Sequence, residues 1–213
     1  MKIQIKNATK IIKDALILKD IQLELESGRI YGLQGPNGGG KTMLMRLIAG
    51  LIRPTRGYVF VDGKQLGKDI DFPPAMGLLI ENPGFLPNYT GLKNMELLAQ
   101  LQGRVSTEQI RQTLTEVGLN PDDPRKFRKY SLGMKQRLGI AATLMEKPDL
   151  ILLDEPTNAL DEQGVEQICA LIRRERERGA LIVMACHDAK ILESLADQII
   201  TVVDGDARKK AVT

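Results

Sequence analysis

The stretch Arg29-Ile-Tyr-Gly-Leu-Gln-Gly-Pro-Asn-Gly-Gly-Gly-Lys-Thr-Met-Leu-Met-Arg-Leu-Ile-Ala-Gly50 decides the fold. It opens on a short apolar run, RIYGL, passes through a glycine-rich turn and closes on TMLMRLIAG, whose apolar residues recur at helical spacing. Within it, Gly35, Pro36, Asn37, Gly38, Gly39, Gly40, Lys41 and Thr42 fit the pattern G-x-x-x-x-G-K-[ST] between a strand and a helix. The chemistry explains the residue types. A triphosphate presents many anionic oxygens. Glycines let the backbone curl so that successive N–H groups point inward, where a side chain would block approach. The helix starting near Lys41 aims its positive end at the phosphates. The Lys41 ammonium is placed to reach the β- and γ-phosphates and the Thr42 hydroxyl to ligate Mg²⁺.

Downstream, Asp149-Leu-Ile-Leu-Leu-Asp-Glu-Pro156 is an apolar strand ending in two carboxylates. Open parallel sheets bind ligands beyond the carboxyl ends of their strands. That position suits Asp154 to hold Mg²⁺ and Glu155 to activate an attacking water. Two adjacent carboxylates repel, and a bound cation offsets the repulsion. Further strands are predicted near Lys2–Lys6, Ile21–Leu25, Tyr58–Val61, Gly77–Ile80, Leu181–Ala185 and Ile199–Val203. The runs at 151–153 and 181–185 are apolar throughout, as in central strands covered on both faces. Helical patterns follow Lys41 and span roughly 92–102, 107–117, 132–146, 162–178 and 188–196. This order predicts an α/β core, 1–83 and 148–213, interrupted by a helical insertion at about 84–147. The proline–glycine cluster at 82–91 and Pro148 mark the seams.

Composition bounds the rest. The 213 residues suit one domain, and a chain of this length can bury a core without disulfides. Two cysteines, Cys169 and Cys186, imply no disulfide framework and a reducing setting. A net charge of +3, with acidic and basic residues interspersed, gives no argument for nucleic acid. The densest charge run, RRERER at 173–178, reads as a solvated helix face with Arg173 and Glu177 four residues apart. No stretch approaches the roughly 18 apolar residues of a membrane helix. MKIQIKNATK alternates apolar and polar residues without the apolar core of a signal peptide. A membrane role therefore calls for a partner chain.

Between the glycine-rich loop and the acidic strand lies Tyr130-Ser-Leu-Gly-Met-Lys-Gln-Arg-Leu138. Here the chain resembles the ATPase subunits of ABC transporters, whose signature is written L-S-G-G-Q-x-x-R. Ser131, Gly133, Gln136 and Arg137 match that pattern or its continuation, while Leu132 and Met134 replace a glycine and the glutamine. The resemblance covers about residues 2–205 and its motifs fall in the family's order. It implies a P-loop NTPase core, with a parallel sheet, flanking helices, an N-terminal antiparallel layer and a helical subdomain. It implies ATP as ligand with Mg²⁺, and ATP hydrolysis with Glu155 as base and His187, the single histidine, sensing the γ-phosphate. Ser131, Gly133 and Met134 would contact ATP held by the opposite subunit of a head-to-tail homodimer or heterodimer, and Asp161 would lie in the loop crossing that interface. Aligned with the family, Ile12 stands where an aromatic stacks on adenine, and Glu81 stands where a glutamine approaches the metal. The segment from Glu81 is similar to that of bacteriocin, lantibiotic and bacitracin-type export ATPases. The resemblance therefore implies export of a small molecule or peptide through a transmembrane permease on a separate chain. The subunit would be cytoplasmic and peripheral on the inner face of the membrane, with no nucleic acid bound and no direct membrane insertion. The competing readings are a soluble ABC-type ATPase acting on ribosomes or DNA, and a nucleotide-binding regulator without turnover.

Overall fold

The computed structural model describes residues 1–81, 83–103 and 105–210. Asn82, which opens the proline–glycine seam, Arg104 and residues 211–213 lie outside the described residues. The chain begins with a long hairpin, β1 (Lys2–Ile12) and β2 (Ala15–Glu26), followed by β3 (Ile30–Gln34) and α1 (Lys41–Ile48). β4 (Arg56–Val61), β5 (Lys64–Gln65) and β6 (Met76–Leu79) lead to three helices, α2 (Gly91–Gln102), α3 (Thr107–Glu116) and α4 (Leu132–Leu144). Strands and helices then alternate through β7 (Leu150–Asp154), α5 (Glu162–Glu177), β8 (Leu181–Ala185) and α6 (Ala189–Leu195), ending in the hairpin β9 (Gln198–Val203) and β10 (Asp206–Lys209).

Two sheets result, one ordered β2-β1-β4-β5 and one ordered β10-β9-β3-β8-β7-β6. The central pairs β9–β3, β3–β8, β8–β7 and β7–β6 are parallel, and only β10 runs antiparallel to its neighbour β9. The alternation of side chains along β3, β7 and β8 divides the core. Ile30, Ile151, Leu153, Ile182 and Met184 face a cluster built with α4, α5 and α6. Tyr31, Leu33, Leu150, Leu152, Leu181 and Val183 face α1 and the antiparallel sheet. Each such aliphatic side chain contributes about 1.5–3 kcal/mol by leaving water. The apolar runs at 151–153 and 181–185 are the central strands their composition predicts.

The seam after β6 is tied down. Asn94, buried on α2, donates to the carbonyls of Leu86 and Thr90 and accepts from Leu86 N–H at 2.7 Å. Phe85 meets Phe127 edge-on, Phe127 meets Tyr130 at a tilt, and the Tyr130 hydroxyl accepts from Gly91 N–H at 3.1 Å. The charge run at 173–178 is mostly solvent-facing, as expected, with Arg173, Arg174, Glu177 and Arg178 exposed and Glu175 the exception. Glu175 is buried and paired with Arg178 and Arg174, while Arg174 also bridges to Glu116 on α3 at 2.7 Å. The run thus fastens α5 to its neighbours. Both cysteines are free and buried, and burial pushes both thiols up.

Candidate functional site

The glycine-rich turn links the end of β3 to the start of α1. Gly35 stands at φ 159°, and a Cβ there would lie 1.9 Å from the Val202 carbonyl oxygen of β9, so only glycine lets the loop seat on the sheet. Ala in its place must push the loop outward by about 1 Å, a displacement that costs on the order of a hundredfold in function. Gly35→Ala is expected to weaken ATP affinity by that order, read by titration with a fluorescent nucleotide.

Among the described residues, the start of α1 differs from those of the other five α-helices. Thr90, Ser106, Ser131, Asp161 and Asp188 cap α2 to α6 with side-chain oxygens. α1 is preceded by Gly40 at φ 110°, with no side-chain cap and no acidic residue in its first turn. Its leading N–H groups are left to an outside acceptor, and the helix dipole favours an anion. Lys41 is buried there. Its ammonium donates to the carbonyls of Gly35 at 2.8 Å and Pro36 at 2.9 Å, which fixes a cation inside the curl of the loop.

Beside the loop, β7 delivers its two carboxylates. Thr42 donates to Asp154 Oδ2 at 2.6 Å, joining the hydroxyl and carboxylate expected to share Mg²⁺. An all-oxygen pair of this kind suits a hard divalent cation. Glu155 is held at φ 52°, a conformation that costs a non-glycine residue on the order of 1 kcal/mol. Its N–H bonds to Ala185 O, and its Oε2 accepts from His187 N–H at 3.0 Å. Oε1 is buried, 3.3 Å from His187 Nε2 but without hydrogen-bond geometry. Among the described residues it is the one buried side-chain polar atom without a hydrogen-bond partner. An acceptor left open in this way is expensive unless the site itself supplies its partner.

These groups line one cavity of 640 Å³. Of the residues expected from the sequence, Asn37, Gly38, Gly40, Lys41 and Thr42 line it from the loop, and Glu81, Asp154, Glu155 and His187 from the facing strand ends. Gly35, Pro36 and Gly39 form the back of the loop. Glu81 reaches the cavity wall at φ 62°, but its carboxylate is paired with Arg46 of α1. Ile12 does not line the cavity. It sits exposed at the tip of the β1–β2 hairpin, paired with Ala15, and Ile17 lines the cavity instead.

The four remaining candidates are not among the residues lining this cavity. Ser131 is exposed and caps α4 by accepting from Met134 N–H at 3.2 Å. Gly133 is pressed against the next loop, where a Cβ would meet Ala159 O at 2.7 Å. Met134 packs its side chain on the helical core. Asp161 caps α5 and pairs with Arg137 at 3.3 Å. Met43, Leu132, Gln136, Asn158 and Ala159 complete the cavity wall and were not singled out as binding groups by the sequence. For Gln136 a signal existed in its match to the signature's continuation.

The chain has counterparts among known proteins. The ABC transporter family profile matches residues 18–158. The chain is 46% identical over 195 residues to the uncharacterised ABC transporter ATP-binding protein YybJ of Bacillus subtilis, covering 92% of this chain and 89% of the relative. It is 39% identical over 205 residues to the bacitracin transport ATP-binding protein BcrA of Enterococcus faecalis, covering 95% of this chain and 67% of the relative. A dimeric ATP-binding cassette solved in a post-hydrolysis state with ADP and phosphate superposes with a TM-score of 0.87 at 26% identity, over 99% of both chains.

Proposed function

The chain belongs to the ABC transporter family, and on that premise we propose that this ATP-binding, ATP-hydrolysing subunit energises export of a small molecule or peptide, such as a peptide antibiotic, through a separate transmembrane partner. Likeness to the bacitracin transport protein supports the cargo class. Among the described residues no helix is long and apolar enough to cross a membrane, which supports a spanning partner that holds the subunit at the inner membrane face. The whole chain is read as one ATPase domain, with α2 to α4 as its helical insertion.

The observation that carries the chemistry is that Glu155 lines the same cavity as Lys41 and Thr42 while its buried Oε1 has no hydrogen-bond partner. The loop amides and Lys41 hold the β- and γ-phosphates of ATP. Thr42 and Asp154 hold Mg²⁺, which when bound neutralises phosphate charge. Glu155 takes a proton from water as the water oxygen bonds the terminal phosphorus and the bond to the ADP oxygen breaks. His187 sits against Glu155 to sense the terminal phosphate. Ser131 and Gly133, at the exposed start of α4, meet ATP bound by a second subunit, and the dimeric cassette structure supports such a pairing. Closure of the dimer on two nucleotides, and its opening after hydrolysis, then moves the membrane partner.

The test is co-expression with a candidate transmembrane partner chain. We expect co-purification with membranes, Mg²⁺-dependent phosphate release, and a host made sensitive to a peptide antibiotic when the chain is deleted. Fractionation with ribosomes and unchanged sensitivity would refute the export reading.

A further inference from the structure

α4 does more than start at Ser131. Its first two turns touch the segment that follows β7 at three places. Gln136 Nε2 donates to the Glu155 carbonyl at 2.9 Å. Gly133 abuts Ala159 O so closely that a Cβ would stand 2.7 Å from it. Arg137 pairs with Asp161 at 3.3 Å and also donates to Val117 O and Gln167 Oε1, which fixes the helix from its far side. The clamped segment is itself unusual, since Glu155 and Ala159 both hold left-handed backbone, at φ 52° and 61°. A backbone in a sparsely populated conformation persists only where its surroundings over-determine it.

We propose that Gln136 is a positioning residue for Glu155, a role that rests on Glu155 being the base. The Glu155 carbonyl accepts from Asn158 N–H at 3.2 Å and from Gln136. The first bond closes the turn within the segment, and the second ties the turn to a different element. With both made, the Glu155 side chain leaves the backbone in the direction that sets Oε2 on His187 N–H and Oε1 3.3 Å from His187 Nε2, at a residue that lines the cavity. Without the amide of Gln136, the turn remains but its rotation about the end of β7 is no longer set by α4. The carboxylate then spends less time aimed at the attacking water, while the loop and α1, which hold the phosphates, are untouched. Gln136 also borders the cavity, so a direct contact with nucleotide is the competing role.

The two roles separate in kinetics. Gln136→Met keeps length and removes the donor, and Gln136→Glu keeps shape but, when ionised, cannot donate. Each is expected to lower kcat by on the order of ten- to a hundredfold, with KM for ATP within about twofold of the parent. Introduced into Glu155→Gln, Gln136→Met is expected to add no further loss to the residual single-turnover rate, because residues acting through one group are non-additive. A raised KM at unchanged kcat, wild-type turnover in a folded variant, or a fully additive loss in the double variant each overturns the proposal. Normal hydrolysis by Glu155→Gln alone would instead overturn the base assignment on which it stands.

Discussion

Lys41→Ala is expected to abolish measurable ATP turnover. Removing one well-placed donor to developing charge costs a hydrolytic site on the order of 10²- to 10³-fold. The Lys41 ammonium does two things at once. It offers a full positive charge to the phosphates, and it ties the loop together through the carbonyls of Gly35 and Pro36. Alanine loses both, so affinity for ATP should fall along with turnover. Phosphate release and nucleotide titration on the same preparation read the two effects. Because α1 and the core clusters do not depend on the ammonium, the variant should remain folded. Turnover at the parental rate would remove the phosphate-loop assignment.

Glu155→Gln is expected to separate binding from chemistry. The amide is isosteric and its oxygen can still accept from His187 N–H, so the backbone at φ 52° and the loop it leads keep their arrangement. It cannot accept a proton at neutral pH, and losing a general base costs on the order of 10²- to 10⁴-fold. Replacing a carboxylate by a neutral amide also removes repulsion toward the phosphates. ATP should bind at least as well, and the closed dimer should accumulate because its exit step is slow. Light scattering after gel filtration with Mg²⁺–ATP would show a dimer that persists over minutes. A variant that hydrolyses ATP normally would show that some other group takes the proton.

How far these sites could be read from residues alone depended on whether the constraint was local. Gly35 to Thr42 was legible because backbone curvature and anion binding dictate residue type within eight consecutive positions. Asp154 and Glu155 were legible only beside the glycine-rich loop, since an apolar strand that ends in acids can otherwise serve to cap a helix. Contacts closed by the fold were not. The partner of Glu81 is Arg46, 35 residues earlier, and nothing near either residue announces the pair. The exchange of Ile12 for Ile17 is a matter of hairpin reach. β1 and β2 turn at Lys13 and Asp14, at φ 46° and 67°, as a two-residue turn requires, but Lys-Asp is a weak signal beside Asn-Gly. Register shifts near Ala8 and Lys10 also break the alternation, so only Lys2–Lys6 and Ile21–Leu25 of the two long strands stood out. β5 and β10 escaped because a two-residue strand and the polar DARK carry no apolar pattern.

The bare beginning of α1 couples nucleotide supply to conformational stability. A cap supplied by another residue of the chain is always present, whereas one supplied by a diffusing solute comes and goes with its concentration. Mass action then deepens the folded state of this subunit by about 2.7 kcal/mol when ligand stands a hundredfold above its dissociation constant. Resistance to unfolding then rises with the concentration of free nucleotide around the subunit.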